Sequence, residues 1–326
     1  MVKRFYVDQY VDRILAGDRV VLSRAITLVE STLPADQDLA QEVINRLIPH
    51  TGNSVRVGIT GSPGVGKSTF IESFGNYLIQ EQSKKVAVLA IDPTSQRSGG
   101  SILGDKTRMA TLATNPAAYI RPSPAGKSLG GVARNTREAL LLCEAAGFNV
   151  IIIETVGVGQ SETAVHSMVD FFLLLLLAGA GDALQGIKKG IMEMADGLAI
   201  TKADGDNHQK AEQARAEYKH ALHLFPPAPS GWLPPVALCS ALENTGLAVI
   251  WQMVQEYLTL TQKSGFFTRK RQEQNLHWLH QAIRYALEDR FFSHKLIREK
   301  LPDLEKAVAE SKTSPFKAAT DLLKLF

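Results

Sequence analysis

Gly61-Ser62-Pro63-Gly64-Val65-Gly66-Lys67-Ser68 stands between the apolar run Val55 to Ile59 and a helix-like run from Thr69 to Leu78. The pattern G-x-x-x-x-G-K-S in a strand–loop–helix context is a phosphate-binding loop. Each part has a physical reason. Gly61, Gly64 and Gly66 let the backbone turn and expose N–H groups to phosphate oxygens. Lys67 addresses the β- and γ-phosphates, and the Ser68 hydroxyl suits Mg²⁺. Ser62, Pro63 and Val65 complete the loop, and Thr69 begins a helix whose positive N-terminal end adds to the anion site. A plain glycine turn is the competing reading, and both spacing and context speak against it. The stretch implies a bound nucleoside triphosphate and leaves open which one, and for what work.

From Val55 onward, short apolar runs alternate with helical patterns: Val55–Ile59, Val86–Ile91, Tyr119–Ile120, Val150–Ile153, Phe171–Leu177, Leu198–Ile200 and Val236–Leu238. The alternation predicts an α/β fold, a P-loop NTPase with a mostly parallel central sheet and helices on both faces. Residues 1–50 read as an N-terminal helical extension, with Pro34 breaking the pattern and Asp36 or Asp38 capping a third helix. Residues 51–262 form the nucleotide-binding domain and 263–326 a C-terminal helical arm. In the arm, Leu276, Leu279, Ile283, Leu287 and Phe291 share one stripe of a helix from Gln272 to Phe292, facing either a core or a second subunit.

In such sheets function gathers at strand C-terminal ends. Asp92 follows Ile91 and can hold Mg²⁺ directly or through water, or end the strand in a turn before Pro93. Asp105, in the glycine- and serine-rich segment that follows, is a second carboxylate of this kind or a helix N-cap. Glu154 ends the next strand and precedes Thr155-Val156-Gly157, the form of a Mg²⁺-linked acid followed by a γ-phosphate sensor, with the Gly157 amide as that sensor. Gln160 is a weaker candidate for positioning water. The glycine-dense loops 122–131, with Lys127, and 179–188 connect elements or move near the nucleotide.

Thr201-Lys202-Ala203-Asp204 and Ser240-Ala241-Leu242 choose the base. A carboxylate at Asp204 accepts from guanine N1–H and N2–H₂, a donor pair that adenine lacks. The Lys202 stem lies along the base, and the Ser240-Ala241 backbone donates to guanine O6. Together they favour GTP over ATP.

The chain has 326 residues, 45% of them hydrophobic, enough for one large core. With a net charge of +3 and no long basic block, a nucleic-acid partner is not indicated. The densest basic run, Arg269-Lys270-Arg271, reads as a solvated helix start. Cys143 and Cys239 read as reduced core residues. His166, His208, His220 and His223 are scattered without a cysteine partner. Met1-Val2-Lys3-Arg4 begins no secretory signal, and Phe171–Ala178 is too short to span a bilayer, so a cytoplasmic protein away from membranes is expected.

These residues resemble the methylmalonyl-CoA mutase-associated GTPases, the MeaB and ArgK family related to the human cobalamin-A disease protein. The resemblance covers almost the whole chain and rests on G-S-P-G-V-G-K-S at 61–68, I-D-P-T-S at 91–95, G-G-S-I-L-G-D-K-T-R-M at 99–109, E-T-V-G-V-G-Q-S-E at 154–162 and G-A-G-D-A-L-Q-G-I-K at 179–188. It implies a homodimeric GTPase that binds GTP and GDP with Mg²⁺, hydrolyses GTP slowly, and serves an adenosylcobalamin-dependent methylmalonyl-CoA mutase as chaperone in cofactor loading and protection. Within it, Lys67 and Ser68 match the phosphate and Mg²⁺ contacts. Asp92, Asp105 and Glu154 match the acids around the metal, 179–188 a switch loop that communicates with the mutase, and the C-terminal helices the dimer arm. Thr201 replaces the usual asparagine of N-K-x-D, from which the loss of one contact to the base or the phosphate loop is expected. Two other classes share the loop: a kinase acting on a transport binding protein, which needs an acceptor site and a base, and a metal-delivery GTPase, which needs Cys or His ligands near the nucleotide.

Overall fold

The computed structural model describes residues 5–91, 109–122, 129–155, 161–178 and 189–326. The seven apolar runs are the seven strands of one sheet: β1 (Val55–Gly61), β2 (Val86–Ile91), β3 (Ala118–Arg121), β4 (Val150–Thr155), β5 (Phe171–Leu177), β6 (Gly197–Thr201) and β7 (Val236–Leu238). Their order is β3-β2-β4-β1-β5-β6-β7, and every pairing is parallel. A parallel sheet buried on both faces wants continuous apolar runs, which explains why these strands show no polar alternation. Phe171, Phe172, Leu173 and Leu175 of β5 are fully buried, so the most apolar run of the chain is a central strand. Among the described residues no helix is long and apolar enough to cross a membrane.

Residues up to Gln274 form one compact unit and Asn275–Phe326 a second. In the first unit the N-terminal helices Val7–Leu15, Arg19–Glu30 and Pro34–Leu47 are packed onto the sheet's β3 side. Ser23 shares a hydrogen bond with Tyr119 of β3 at 3.1 Å, and Gln41 Nε2 donates to Glu138 at 2.8 Å. Pro34 is the first residue of the third helix, after the second has ended at Glu30. Its missing N–H costs nothing there. The residue before that helix is Leu33, which makes no side-chain cap, and Asp36 sits in the first turn, where its carboxylate accepts from Ser31 Oγ at 2.8 Å.

The basic run at 269–271 departs from the sequence reading. The helix Phe266–Ser293 starts earlier than expected, and Arg271 and Lys270 turn inward. Arg271 forks onto Asp170, with Nε to Oδ1 at 2.8 Å and Nη2 to Oδ2 at 2.7 Å, and Nη2 also donates to Ser54 O at 2.7 Å. The Lys270 ammonium donates to Asp170 O at 2.7 Å and to the Tyr257 hydroxyl at 3.2 Å. Asp170 also accepts from the Arg56 amide at 2.9 Å, and the Arg56 guanidinium grips Glu144 at 2.8 and 3.0 Å. Arg56 lies on β1, so this buried network fastens the start of the helix to the lower end of the strand that carries the phosphate loop. The first compact unit reaches Gln274 and so includes both Lys270 and Arg271.

The side chain of Asp170 is 1% exposed, so losing its guanidinium partner leaves a buried carboxylate uncompensated. Arg271→Met is therefore expected to destabilise the protein by about 3–5 kcal/mol. Its exposed neighbour in Arg269→Met should change stability by less than about 0.5 kcal/mol. Equal denaturant midpoints for the two variants would show the network to be dispensable.

Candidate functional site

β1 runs two residues further than the apolar pattern and ends at Gly61, the first residue of the phosphate loop. Gly64 and Gly66 have φ of 80° and 95°, left-handed values that a side chain would strain. Gly66 sits directly before the helix Lys67–Gln80. Val65 is fully buried in the main core and pins the loop, while Ser62, Pro63, Gly64 and Thr69 are exposed above it. Lys67 Nζ donates to Gly61 O at 2.8 Å and Ser62 O at 3.4 Å, so the ammonium arcs back over the loop. Partial burial lowers its pKa from the ordinary lysine value, against the opposing pull of Glu154 and Glu162.

The parallel ladder places Glu154 at the end of β4 opposite Ile59 of β1 and Ala90 of β2. Its carboxylate is buried, and Ser68 Oγ donates to its Oε1 at 3.3 Å. Thr155 Oγ1 donates to Thr60 Oγ1 at 2.9 Å, tying the two strand ends together. A hydroxyl and a carboxylate at the head of a phosphate-binding helix are hard oxygen donors that fit Mg²⁺, which takes one or two protein oxygens plus phosphate and water. Among the described residues no cluster of three His, Cys, Asp or Glu side chains that could hold a metal occurs. Asp92, Asp105, Gly157, Gln160, Lys127 and the segment 179–188 lie outside the described residues.

On the other side of the loop, β6 ends at Thr201. Thr201 Oγ1 donates to Val65 O at 2.8 Å and lies 3.2 Å from Leu176 O. One contact to the base or the phosphate loop was expected to be lost with the asparagine; on the phosphate-loop side the threonine hydroxyl makes one. Lys202 has a φ of 56°, and its Nζ donates to Gly64 O at 3.0 Å, so its stem lies beside the phosphate loop.

Asp204 accepts a short hydrogen bond from Ser240 Oγ, which orients the carboxylate. The Ser240 amide donates to Thr245 O at 3.1 Å and is not a donor for the base. Ser240 engages Asp204 through its hydroxyl, while its amide is taken up by Thr245. Ser73 Oγ, on the phosphate-loop helix, donates to Ala241 O at 2.8 Å. The turn closes at Gly246, with φ 75°, where an added Cβ would stand 2.0 Å from Leu238 O. The Leu242 side chain is exposed.

Ser73 and Glu162 escaped sequence reasoning as single residues. Ser73 lies 168 positions from the carbonyl it holds, with no motif around it. Glu162 has no distinguishing spacing of its own, and its charge comes to act on Lys67 only through folding. Burial pushes the Cys239 thiol up to about 12 and raises that of Cys143, as expected of inert core thiols. His166 packs edge-on against Phe172, and burial, with Lys270 nearby, lowers its pKa to about 4.

The family model described as methylmalonyl-CoA mutase-associated GTPase MeaB matches residues 22–295. A protein of Mycobacterium tuberculosis described as a probable GTPase is 51% identical over 319 residues, 98% of this chain and 95% of its own length. GTPase ArgK of Escherichia coli (strain K12) is 47% identical over 295 residues, covering 90% of this chain and 89% of its own. The mouse methylmalonic aciduria type A homolog, a mitochondrial protein by its name, is 45% identical over 331 residues, 98% of this chain and 80% of its own. A solved structure titled LAO/AO transport system kinase superposes with a TM-score of 0.76 at 38% identity, covering 100% of this chain and 99% of that one. The family model covers most of the chain and the relatives it resembles are named GTPases, and the chain belongs to the methylmalonyl-CoA mutase-associated GTPase family.

Proposed function

We propose that this GTPase works as a Mg²⁺-dependent, slowly turning-over switch that serves an adenosylcobalamin-dependent methylmalonyl-CoA mutase in cofactor loading and protection. The observation that carries the guanine part is the Asp204 carboxylate held by Ser240 Oγ beside the phosphate loop. The family description and the name of the mouse relative support the mutase part. Lys67 and the loop amides hold the β- and γ-phosphates and stabilise charge that develops on them. Ser68 and Glu154 hold Mg²⁺, with Asp92 and Asp105 as further acids and Gly157 as the γ-phosphate sensor. Mg²⁺ supplies charge neutralisation on the phosphate oxygens. Asp204, Lys202 and Ala241 bind guanine, with Leu242 flanking it. Slow turnover belongs to this reading because orienting water and completing the transition-state charge fall to a partner or a rearranged loop. A cytoplasmic location belongs to it as well.

A homodimer is part of the same proposal. On the second compact unit, Leu276, Leu279, Ile283 and Leu287 of the helix Phe266–Ser293 are 59%, 54%, 48% and 55% exposed in the single chain. Apolar residues at three- and four-residue spacing form a seam that a second copy can cover.

Four measurements test this reading. Asp204→Ala removes two charge-assisted hydrogen bonds to guanine, so GTP affinity should fall about a hundredfold while ATP binding is unchanged. Unchanged nucleotide preference would refute the base site. GTP hydrolysis should accelerate when an adenosylcobalamin-dependent methylmalonyl-CoA mutase is added, and an unaltered rate would sink the partner assignment. Transfer of labelled phosphate to a protein in cell extract would favour a kinase instead. Leu279→Asp/Ile283→Asp should elute as a monomer in light-scattering chromatography where the parent is a dimer.

A further inference from the structure

A cavity of about 810 Å³ lies away from the phosphate loop, lined by the helix Arg19–Glu30 and the edge strand β3. Its floor is apolar, with Tyr10, Leu28 and Tyr119 all buried. Three guanidiniums line it, and they are not equivalent. Arg121 is neutralised by Glu30, to which its Nε donates at 3.0 Å and its Nη2 through a second, shorter bond. Arg19 Nη1 reaches two carbonyl oxygens, of Asn115 and Pro116, each at 3.4 Å. Arg24 lies over the Phe5 ring, 5.0 Å from its centroid. Neither Arg19 nor Arg24 has a carboxylate partner among the described residues. The carboxylate on the lining, Asp36, is engaged by Ser31 Oγ.

Two guanidiniums with no carboxylate partner among the described residues, on a cavity lined also by buried Tyr10, Leu28 and Tyr119, complement a ligand that is anionic at one end and apolar at the other. Arginine's planar fork matches carboxylate and phosphate oxygens, and the volume falls in the range of small-molecule sites. We propose that this cavity is a second ligand site, distinct from the nucleotide site, for a small carboxylated or phosphorylated molecule with an apolar body. The anionic group binds Arg19 and Arg24, and the apolar body rests on Tyr119 and Leu28. The site borders the short helix Ala110–Thr114 through Ala113. Glu72 of the phosphate-loop helix accepts from the Thr111 amide of that short helix at 2.8 Å, so one short helix separates the two sites.

The test titrates the GDP-loaded full chain with 8-anilinonaphthalene-1-sulfonate, an aromatic anion, and in parallel with the uncharged N-phenyl-1-naphthylamine. Arg19→Gln/Arg24→Gln should weaken sulfonate binding at least about tenfold, from the loss of charge-assisted hydrogen bonds. It should leave the uncharged dye, the thermal midpoint and GTP hydrolysis unchanged, and Arg19→Lys/Arg24→Lys should keep most of the affinity. Displacement of the dye by inorganic pyrophosphate supports the site with a phosphate ligand, and displacement by succinate supports it with a carboxylate. Equal sulfonate affinity in the parent and the glutamine variant, or equal losses for both dyes, overturns the proposal.

Discussion

Hydrogen bonding of β1 to parallel neighbours on both sides is the constraint from which the site follows. Parallel pairing sends every strand's C-terminal end to one edge of the sheet, and the register then decides which residues meet there. Ile59 faces Glu154 on β4, and Gly61 faces Leu175 on β5. One strand later, Leu177 faces Thr201. The phosphate loop leaves β1 at the point where an acid stands on one flank and, one strand further, the strand ending at Thr201 on the other. A register shift of one residue on either side would separate Ser68 from Glu154 or Val65 from Thr201.

The two halves of the nucleotide site are joined by side chains in addition to the sheet. Thr201 and Lys202 hold the carbonyls of Val65 and Gly64, and Ser73 reaches the carbonyl of Ala241. The phosphate loop and the turns proposed to read guanine therefore share one frame. Pre-organised donors and acceptors of this kind cost little ordering entropy when the ligand arrives.

Much of this was legible in the chain itself. All seven strands show as apolar runs because a doubly covered parallel sheet leaves them no polar face, and three of them begin and end where the runs do. The phosphate loop was legible because its chemistry demands fixed residue types at fixed spacing, and Glu154 and Asp204 were found by their place at strand ends, where the structure has them. The inward turn of Lys270 and Arg271 was not. A basic run looks alike whether it meets water or carboxylates, and the partners Asp196 and Asp170 lie 74 and 101 positions away. The role of Ser240 was half legible, since the residue type signals a hydrogen bond while its pairing with Thr245 decides which atom makes it.

Because Arg271 and Lys270 close the charge network beneath β1, the nucleotide-binding unit cannot be separated from its neighbour at the residue where the sheet's last helix, Leu247–Lys263, ends. A gene fragment stopping there would encode the whole phosphate loop and the turns at Asp204 and Ser240, yet leave the buried carboxylate of Asp170 at the lower end of the sheet without its guanidinium partner. Any recombination, fusion or transplantation that moves this module intact has to carry the chain through Gln274, whose side-chain amide donates to Val169 O at 2.8 Å. The first two turns of the C-terminal helix are inherited with the GTP site whatever the rest of that helix does.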